Sequence, residues 1–235
     1  MFGKIALVGS GEWLPVMAEI EKDLIDKNKP IYVQLSTAAG QEGETRLEHW
    51  KNLGKNQASR LGVEQRWLPV FDNDSANDEN LAKQIEGAGL IYLSGGDPTY
   101  LSESLRDSLV WKTIVEQWQN GVSLAGCSAG AMALTNWVPT MRIRLHKSKN
   151  EVKGLGLLPN LRVIPHFDRM VGWIPDIITR YLMNIPPNVT LLGIDENTAL
   201  VGNLSEWEVK GLQSVWILTK EGRTEYKPGS KIFLN

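Results

Sequence analysis

Short apolar segments alternate with longer amphipathic segments along the first half of the chain. The apolar runs of strand length are residues 4–8, 31–35, 65–70, 90–93 and 122–125. The segments between them that carry apolar side chains at helical spacing are residues 14–26, 44–61, 79–86 and 111–119. Alternation of this kind predicts a parallel sheet with helices on both of its faces.

The last third of the chain follows a different pattern, because its apolar runs are short and separated only by turns. These runs are residues 161–164, 189–194, 198–201, 207–210 and 215–219. We expect the last three of them to pair as antiparallel strands. No repeat or linker divides the sequence, so we expect one α/β domain over residues 1–235, with the basic run 141–153 as a solvated loop or hairpin.

A possible nucleophile lies directly after the apolar run 122–125. Gly126, Ser128 and Gly130 form a G-x-S-x-G frame, and a helix-prone stretch begins at Ala129. This is the sequence form of a nucleophile elbow, a tight strand-to-helix turn with the serine at its apex. The frame favours Ser128 over the adjacent Cys127, because the two glycines flank the serine at the required spacing.

A serine nucleophile needs a base and an acid that orients the base. The sequence has three histidines: His49 is in a charged helical stretch and His146 is in the basic run. His166 follows an apolar strand, which places it at the carboxyl edge of the predicted sheet, so it is our candidate base. For the acid, Glu196 is the first choice and Asp195 the second, since both follow the strand 189–194.

The order Ser–His–acid along the chain differs from the Ser–acid–His order of the α/β-hydrolases, which argues against a lipase or esterase of that fold. Asp168 is two residues from the base, where it can act as a local structural carboxylate. The predicted oxyanion donors are the backbone amide of Ala129, next to the nucleophile, and that of Gly95 or Gly96 at a neighbouring strand end.

Composition narrows the class of protein. The chain has 235 residues, 42% of them hydrophobic, with 25 basic and 27 acidic side chains, so a sizeable core is expected and a nucleic-acid surface is not. The sequence runs straight into a strand and has no apolar run of membrane-spanning length, so we expect a cytoplasmic protein without a signal peptide or membrane segment. With one cysteine and no second histidine at ligand spacing, we expect no metal and no cofactor.

In the order of its motifs, the chain resembles the dipeptidase E and cyanophycinase family of serine peptidases. The matching segments are Ser94-Gly95-Gly96-Asp97, residues 125–131, Pro165-His166-Phe167 and residues 193–199. The resemblance implies a three-layer α/β/α, flavodoxin-like fold of the class I glutamine amidotransferase type. It also implies Ser128 as nucleophile, His166 as base, Glu196 as third member and the Gly95-Gly96 turn as the oxyanion loop.

Two departures bear on the substrate. Cyanophycinases tend to carry glutamine where Pro98 stands and Asp-Gln where Ile164-Pro165 stands, so the chain is more similar to the dipeptidase branch, whose members cleave after an N-terminal aspartate. The substrate-binding candidates are Asp97 and an arginine, Arg169 or Arg180, as a cation for an acidic side chain.

The sequence therefore predicts a serine-type hydrolase of a small peptide or related amide. Two alternatives stay open: a Cys127-dependent amidotransferase-like enzyme, and an inactive ligand-binding member of the fold. A homodimer is a further open possibility.

Overall fold

The computed structural model describes residues 1–26, 28–138, 152–170 and 185–234. Its strands are β1 (Ile5–Val8), β2 (Ile31–Leu35), β3 (Glu64–Leu68), β4 (Leu90–Leu93), β5 (Ser123–Cys127), β6 (Trp137–Val138), β7 (Val152–Lys153), β8 (Leu161–Ile164), β9 (Thr190–Ile194), β10 (Thr198–Asn203), β11 (Glu206–Gly211), β12 (Val215–Thr219), β13 (Gly222–Tyr226) and β14 (Lys231–Phe233). Its α-helices are α1 (Ala18–Leu24), α2 (Glu44–Leu61), α3 (Asn73–Ala76), α4 (Glu79–Lys83), α5 (Pro98–Leu105), α6 (Leu109–Gln119), α7 (Ala129–Ala133) and α8 (Phe167–Met170). Short 3₁₀ turns occupy Pro15–Met17 and Thr37–Ala39.

Eight strands form the main sheet in the order β14-β11-β10-β1-β5-β4-β2-β3. The five strands from β1 to β3 in this order pair in parallel, and β10, β11 and β14 extend the sheet antiparallel beyond β1. The inner parallel strands β1, β5, β4 and β2 are buried on both faces apart from Ile31, as expected for strands that are joined by crossover helices, whereas the edge strand β3 is partly exposed. The predicted mixed α/β sheet is therefore confirmed.

Alternate side chains of each central strand enter two separate apolar layers. On β1, Ile5 and Leu7 join the layer formed with α4 to α7, whereas Ala6 and Val8 join the layer formed with α1 and α2. This follows from the two-residue period of a strand, which sends successive side chains to opposite faces. The result is the three-layer α/β/α arrangement that the sequence predicted.

A second sheet of four strands, in the order β13-β12-β9-β8, was not predicted as a separate unit. Its strands β8 and β9 pair in parallel, with Ile164 opposite Gly193, while β12 pairs antiparallel with both β9 and β13. Consequently the strands that precede His166 and Glu196 are direct neighbours in this smaller sheet.

Several boundaries differ from the prediction. The helix expected over residues 14–26 is a 3₁₀ turn followed by α1, and the short helix α3, with Asp72 as its cap, lies between two elements that the sequence predicted. Helix α5 was not predicted, although Asp97 as its cap and Pro98 at its first position are a helix-start signal. Most of the basic run lies outside the described residues; its end, β7, pairs with β6. Among the described residues, no helix is long and apolar enough to cross a membrane.

Candidate active site

Ser128 is at the apex of a sharp turn between β5 and α7. Its backbone dihedrals, φ +50° and ψ −107°, lie outside the regions that ordinary residues favour, and its amide donates to the Val8 carbonyl at 2.9 Å. Backbone strain of this kind persists only where the surrounding structure enforces it. The side chain is half-buried, so its hydroxyl is within reach of a substrate. The predicted nucleophile elbow is present.

The two glycines of the elbow are required by packing. A Cβ added to Gly126 would lie 2.6 Å from the Gly130 carbonyl, and one added to Gly130 would collide with the Leu93 carbonyl of the neighbouring strand β4. Close approach of backbone to backbone is the usual reason for glycine at such a turn. The frame G-x-S-x-G thus reflects the steric needs of the turn itself.

The parallel pairing of β8 and β9 brings His166 and Glu196 together. Each residue follows its strand by two positions, His166 after Ile164 and Glu196 after Ile194. His166 itself has a positive φ of +50°, which turns the chain into the short helix α8. Phe167 is buried and its ring covers Gly193, where a Cβ would lie 2.5 Å from the ring. This contact fixes the segment that carries the histidine.

The three predicted residues form a continuous hydrogen-bonded series. His166 Nε2 is 3.0 Å from Ser128 Oγ, and His166 Nδ1 is 3.0 Å from Glu196 Oε1. With a carboxylate against Nδ1, that nitrogen carries the proton and Nε2 is left to accept from the serine hydroxyl. The arrangement has the geometry of a nucleophile, a base and an acid that orients the base.

The neighbouring acid Asp195 is used differently. Its carboxylate is buried and accepts from Trp216 Nε1 at 3.0 Å and from the Ser214 amide at 3.1 Å. Burial raises the pKa of the Asp195 carboxyl above its usual range, and these hydrogen bonds oppose the shift. Asp195 therefore ties β9 to β12, and Glu196 is the acid that contacts the histidine.

Glu196 is itself held by three neighbouring side chains. Asp168 Oδ1 accepts from the Glu196 amide at 2.9 Å, and Gln213 Nε2 donates to the Glu196 carbonyl at 3.0 Å and to Asp168 Oδ2 at 3.3 Å. Arg169 Nε donates to Glu196 Oε2, the oxygen that does not face the histidine, at 3.3 Å. These contacts restrict both the backbone and the carboxylate of Glu196.

The alternative nucleophile, Cys127, is poorly placed for catalysis. It is fully buried, and its thiol donates to Glu12 Oε2 at 3.1 Å. Burial and the nearby Glu12 carboxylate raise the pKa of the Cys127 thiol well above its usual range, whereas a reactive cysteine needs a lowered pKa. The histidine faces Ser128 instead. The geometry thus disfavours a cysteine mechanism.

The predicted oxyanion amides divide into two groups. The Gly95 amide donates to Glu12 Oε1 at 3.0 Å, so this amide already has a partner within the protein. Within the described part of the chain, the amides of Gly96 and Ala129 have no such partner. Gly96 is exposed and Ala129 is buried next to the nucleophile, and oxyanion binding by their amides stays a prediction.

The remaining candidates have structural partners of their own. Asp97 caps α5, and its Oδ1 accepts from the Thr99 and Tyr100 amides at 2.9 and 3.1 Å. Arg169 is 75% exposed, and its Nε forms ion pairs with Glu196 Oε2 at 3.3 Å and with Asp168 Oδ2 at 4.0 Å. Substrate binding by either residue stays a prediction. Arg180 and His146 lie outside the described residues, and His49 is exposed on α2.

Two residues at the site were missed by the sequence analysis. Glu12 lies four residues after the end of β1, at the carboxyl edge of the sheet, so a search of every residue close to a strand end could have found it. Gln213 is in the turn before β12 and had no sequence signal, because its contacts with Asp168 and Glu196 join distant parts of the chain.

Comparison with known proteins adds independent findings. The model of peptidase family S51 matches residues 12–209. Cyanophycinases of Trichormus variabilis and Nostoc sp. are each 27% identical over 160 residues, a match that covers 64% of this chain and 52% of theirs. The chain thus spans about half the length of the curated relatives it matches.

Two solved structures are similar over most of the chain. A peptidase from an acI-B1 Actinobacterium is 44% identical, with a TM-score of 0.90 and coverage of 100% of this chain and 98% of that one. A protein of Listeria monocytogenes EGD-e, 18% identical with a TM-score of 0.66, covers 91% of this chain and 100% of its own and shares the fold. The resemblance inferred from the motifs is confirmed, and the chain belongs to peptidase family S51.

Proposed function

We propose that this protein is a serine-type peptidase that hydrolyses a small peptide or a related amide. The observation that carries the proposal is the series Ser128–His166–Glu196, with 3.0 Å at each contact. The similarity to a solved peptidase over the full chain supports the same reaction class. The half-buried position of Ser128 at a strained turn supports its role as nucleophile.

In the proposed reaction, His166 Nε2 accepts the proton of the Ser128 hydroxyl as its oxygen attacks the substrate carbonyl carbon. Glu196 holds the proton on Nδ1 and stabilises the imidazolium that forms. The amides of Gly96 and Ala129 donate to the developing oxyanion. His166 then gives its proton to the leaving amine as the C–N bond breaks, and a water molecule, activated by the same nitrogen, hydrolyses the acyl-enzyme.

The substrate class is also a proposal. The departures at Pro98 and Ile164-Pro165 favour a small peptide over cyanophycin, although two relatives carry the name cyanophycinase. A homodimer and the absence of a nucleic-acid partner stay predictions. Light scattering coupled to size exclusion would measure the first, and filter binding with labelled nucleic acid the second.

The test combines a serine-reactive fluorophosphonate probe with a dipeptide library. We expect the probe to add one adduct, located by peptide mass mapping at Ser128, and Ser128→Ala to lose both adduct and hydrolysis by at least about 10³-fold. Cys127→Ala should retain the adduct and hydrolysis. His166→Ala should lose hydrolysis, while the exposed-histidine control His49→Ala should not.

Two outcomes would contradict the proposed function. Full activity of Ser128→Ala together with an inactive Cys127→Ala would transfer the nucleophile to the thiol. A folded wild-type protein that neither takes up the probe nor cleaves any member of the library would favour a ligand-binding protein without catalysis.

A further inference from the structure

The loop of residues 94–97, between β4 and α5, carries one of the amides that the proposed reaction places at the oxyanion. The first and last amides of this loop donate to backbone carbonyls of β2 and of the 3₁₀ turn after it, at 3.0 and 2.8 Å. The Gly95 amide donates to a side chain instead, Glu12 Oε1 at 3.0 Å. In the part of the chain that the structure describes, the Gly96 amide is the one amide of the loop without a partner.

The Glu12 carboxylate links this loop to the nucleophile elbow. While its Oε1 accepts from Gly95, its Oε2 accepts from the Cys127 thiol at 3.1 Å. Gly95 follows the end of β4 by two residues, and Cys127 ends β5 immediately before Ser128. A single buried contact thus connects the two strand ends on which the proposed oxyanion donors and the nucleophile depend.

Gly95 fills the space between the carboxylate and the nucleophile. A Cβ added to Gly95 would lie 2.6 Å from Glu12 Oε1 and 3.4 Å from Ser128 Cβ. The first distance is shorter than any side chain tolerates, so the Gly95 backbone is packed directly against both neighbours. A shift of the Glu12 carboxylate therefore changes the position of the loop relative to the serine.

The residue after Glu12 anchors this carboxylate. Trp13 is 1% exposed, and its φ of +58° lies in a region that bulky residues rarely adopt. Its ring packs edge-on against Trp50 and Trp67 and lies tilted against Tyr92. A strained backbone persists only where the surrounding structure enforces it. The aromatic contacts of Trp13 thus hold Glu12 in place, so that the carboxylate does not follow a displaced loop.

We propose that Glu12 is a positioning residue that directs the Gly96 amide towards the oxyanion formed at Ser128, an inference that rests on the proposed hydrolase function. Two consecutive glycines leave the backbone torsions of the loop free, so its conformation depends on the hydrogen bonds that hold it. Glu12 contacts neither the substrate nor the reacting atoms, and it acts through the Gly95 amide.

The effect of this positioning belongs to the transition state. An oxyanion donor is effective at about 2.7–3.1 Å from the oxygen, and removal of one donor lowers kcat by about 10²- to 10³-fold. A loop that has lost its Glu12 contact still carries the Gly96 amide but no longer fixes its direction. We therefore expect a partial loss, of about 10- to 100-fold in kcat, with KM nearly unchanged.

The experiment compares two changes of Glu12 in the full chain, using the dipeptide that the wild-type protein cleaves best. Glu12→Leu removes the acceptor of the Gly95 amide and should lower kcat by about 10- to 100-fold, with KM within about 2-fold of wild type. Glu12→Gln keeps an oxygen at the same reach, so it should retain kcat within about 3-fold. Glu21→Gln is the matched control, because it changes a buried carboxylate that contacts α2 rather than the loop, and kcat should not change.

A pair of inhibitors separates positioning from a general structural effect. The aldehyde analogue of the cleaved dipeptide forms a hemiacetal when Ser128 Oγ bonds to its carbonyl carbon, and the former carbonyl oxygen then occupies the oxyanion position. The corresponding alcohol binds without this bond. In Glu12→Leu the affinity for the aldehyde should fall in parallel with kcat, while the affinity for the alcohol stays within about 2-fold of wild type.

Three results would overturn the inference: an unchanged kcat in Glu12→Leu, an equal loss of affinity for aldehyde and alcohol, or a loss in Glu12→Gln as large as that in Glu12→Leu. If Glu12→Leu does not fold, Glu12→Asp decides. It keeps the charge but withdraws the oxygens by about 1.5 Å, so it should lower kcat at unchanged KM, and a wild-type kcat would refute the proposal. The fluorophosphonate adduct at Ser128 reports on the hydrolase function separately from all of these results.

Discussion

The assignment of the two adjacent acids can be tested by a pair of isosteric changes with opposite expected effects. Glu196→Gln alters the carboxylate that is 3.0 Å from His166 Nδ1 and is only partly buried. Asp195→Asn alters a carboxylate that is buried and accepts from Trp216 and from the Ser214 amide. One change should affect catalysis and the other stability.

For Glu196→Gln we expect a loss of kcat, because the change removes the negative charge next to His166. A glutamine oxygen can still accept from Nδ1–H, but it does not stabilise the imidazolium, and its amide group can reverse the preferred tautomer of His166. Comparable changes in serine hydrolases lower kcat by about 10² to 10⁴-fold. Because the side chain is at the surface of the site, we expect the free energy of unfolding to change by less than about 0.5 kcal/mol.

For Asp195→Asn we expect a loss of stability, because the change removes a buried hydrogen-bond acceptor. Trp216 Nε1 donates to both carboxylate oxygens and the Ser214 amide donates to one of them, so in either orientation the asparagine places its amide group where an oxygen accepted from Trp216. A buried donor left unpaired costs about 1–3 kcal/mol, and each kcal/mol lowers Tm by about 2–4 °C for a chain of this length. Turnover should stay within a few-fold of wild type.

The assay measures Tm by calorimetry and kcat on one cleaved dipeptide for both variants. We expect Glu196→Gln to lower kcat at nearly unchanged Tm, and Asp195→Asn to lower Tm at nearly unchanged kcat. If Asp195→Asn lost turnover as severely as Glu196→Gln while both kept their Tm, the assignment of Glu196 as the orienting acid would be refuted.

Three further predictions concern residues around the site. Burial raises the pKa of Glu21 from 4.5 to about 7, so the unfolded chain loses this proton first as the pH rises. The free energy of unfolding, measured by urea titration, should therefore fall by about 3 kcal/mol between pH 4.5 and 7 in the wild-type protein. The exposed control Glu19→Gln should show the same fall, and Glu21→Gln should not. Gly193→Ala should lower stability by about 1–3 kcal/mol and lower kcat, because the new Cβ displaces the Phe167 ring, and Phe167→Leu in the same chain should restore part of both. Gln213→Leu should lower kcat about 10-fold at unchanged KM, because it removes the hydrogen bond to the Glu196 carbonyl. If the free energy of unfolding of the variant, measured by urea titration, equals that of the wild-type protein, the effect acts through the position of Glu196.

The strands of the main sheet and the helices that cover it were predictable, because the spacing of hydrophobic positions identifies each element and polar or glycine-rich residues mark where it ends. Residues 31–35 and 44–61 were predicted with the bounds that the structure shows, since a short apolar run and a long amphipathic run differ in both length and spacing. The separate four-stranded sheet was not predictable in the same way. Hydrophobic pattern identifies a strand but not its partner, and β8 and β9 pair with each other rather than with the main sheet.

The site residues were predictable where a potentially catalytic side chain directly follows a predicted strand. Ser128 and His166 each follow an apolar run, and carboxyl ends of parallel strands gather at one edge. The choice between Asp195 and Glu196 was open for a physical reason: successive side chains of an extended segment point to opposite sides, and the sequence does not reveal which side faces the histidine. Glu12 was missed because its contacts reach residues more than eighty positions away.

The order Ser–His–acid has a structural consequence that reaches beyond the choice of family. His166 and Glu196 follow two strands of the smaller sheet whose register fixes their mutual position, whereas Ser128 belongs to the main sheet. The contact between serine and histidine therefore depends on how the two sheets meet. At the end of β1, the Ser128 amide donates to the Val8 carbonyl and the Gly9 amide donates to the Thr198 carbonyl, both at 2.9 Å, so these bonds fix the end of β5 and the start of β10 within the main sheet. Since Glu196 lies between the end of β9 at Ile194 and the start of β10 at Thr198, the short connection between the two sheets carries the acid, and its position contributes to the distance on which the proposed proton transfer depends.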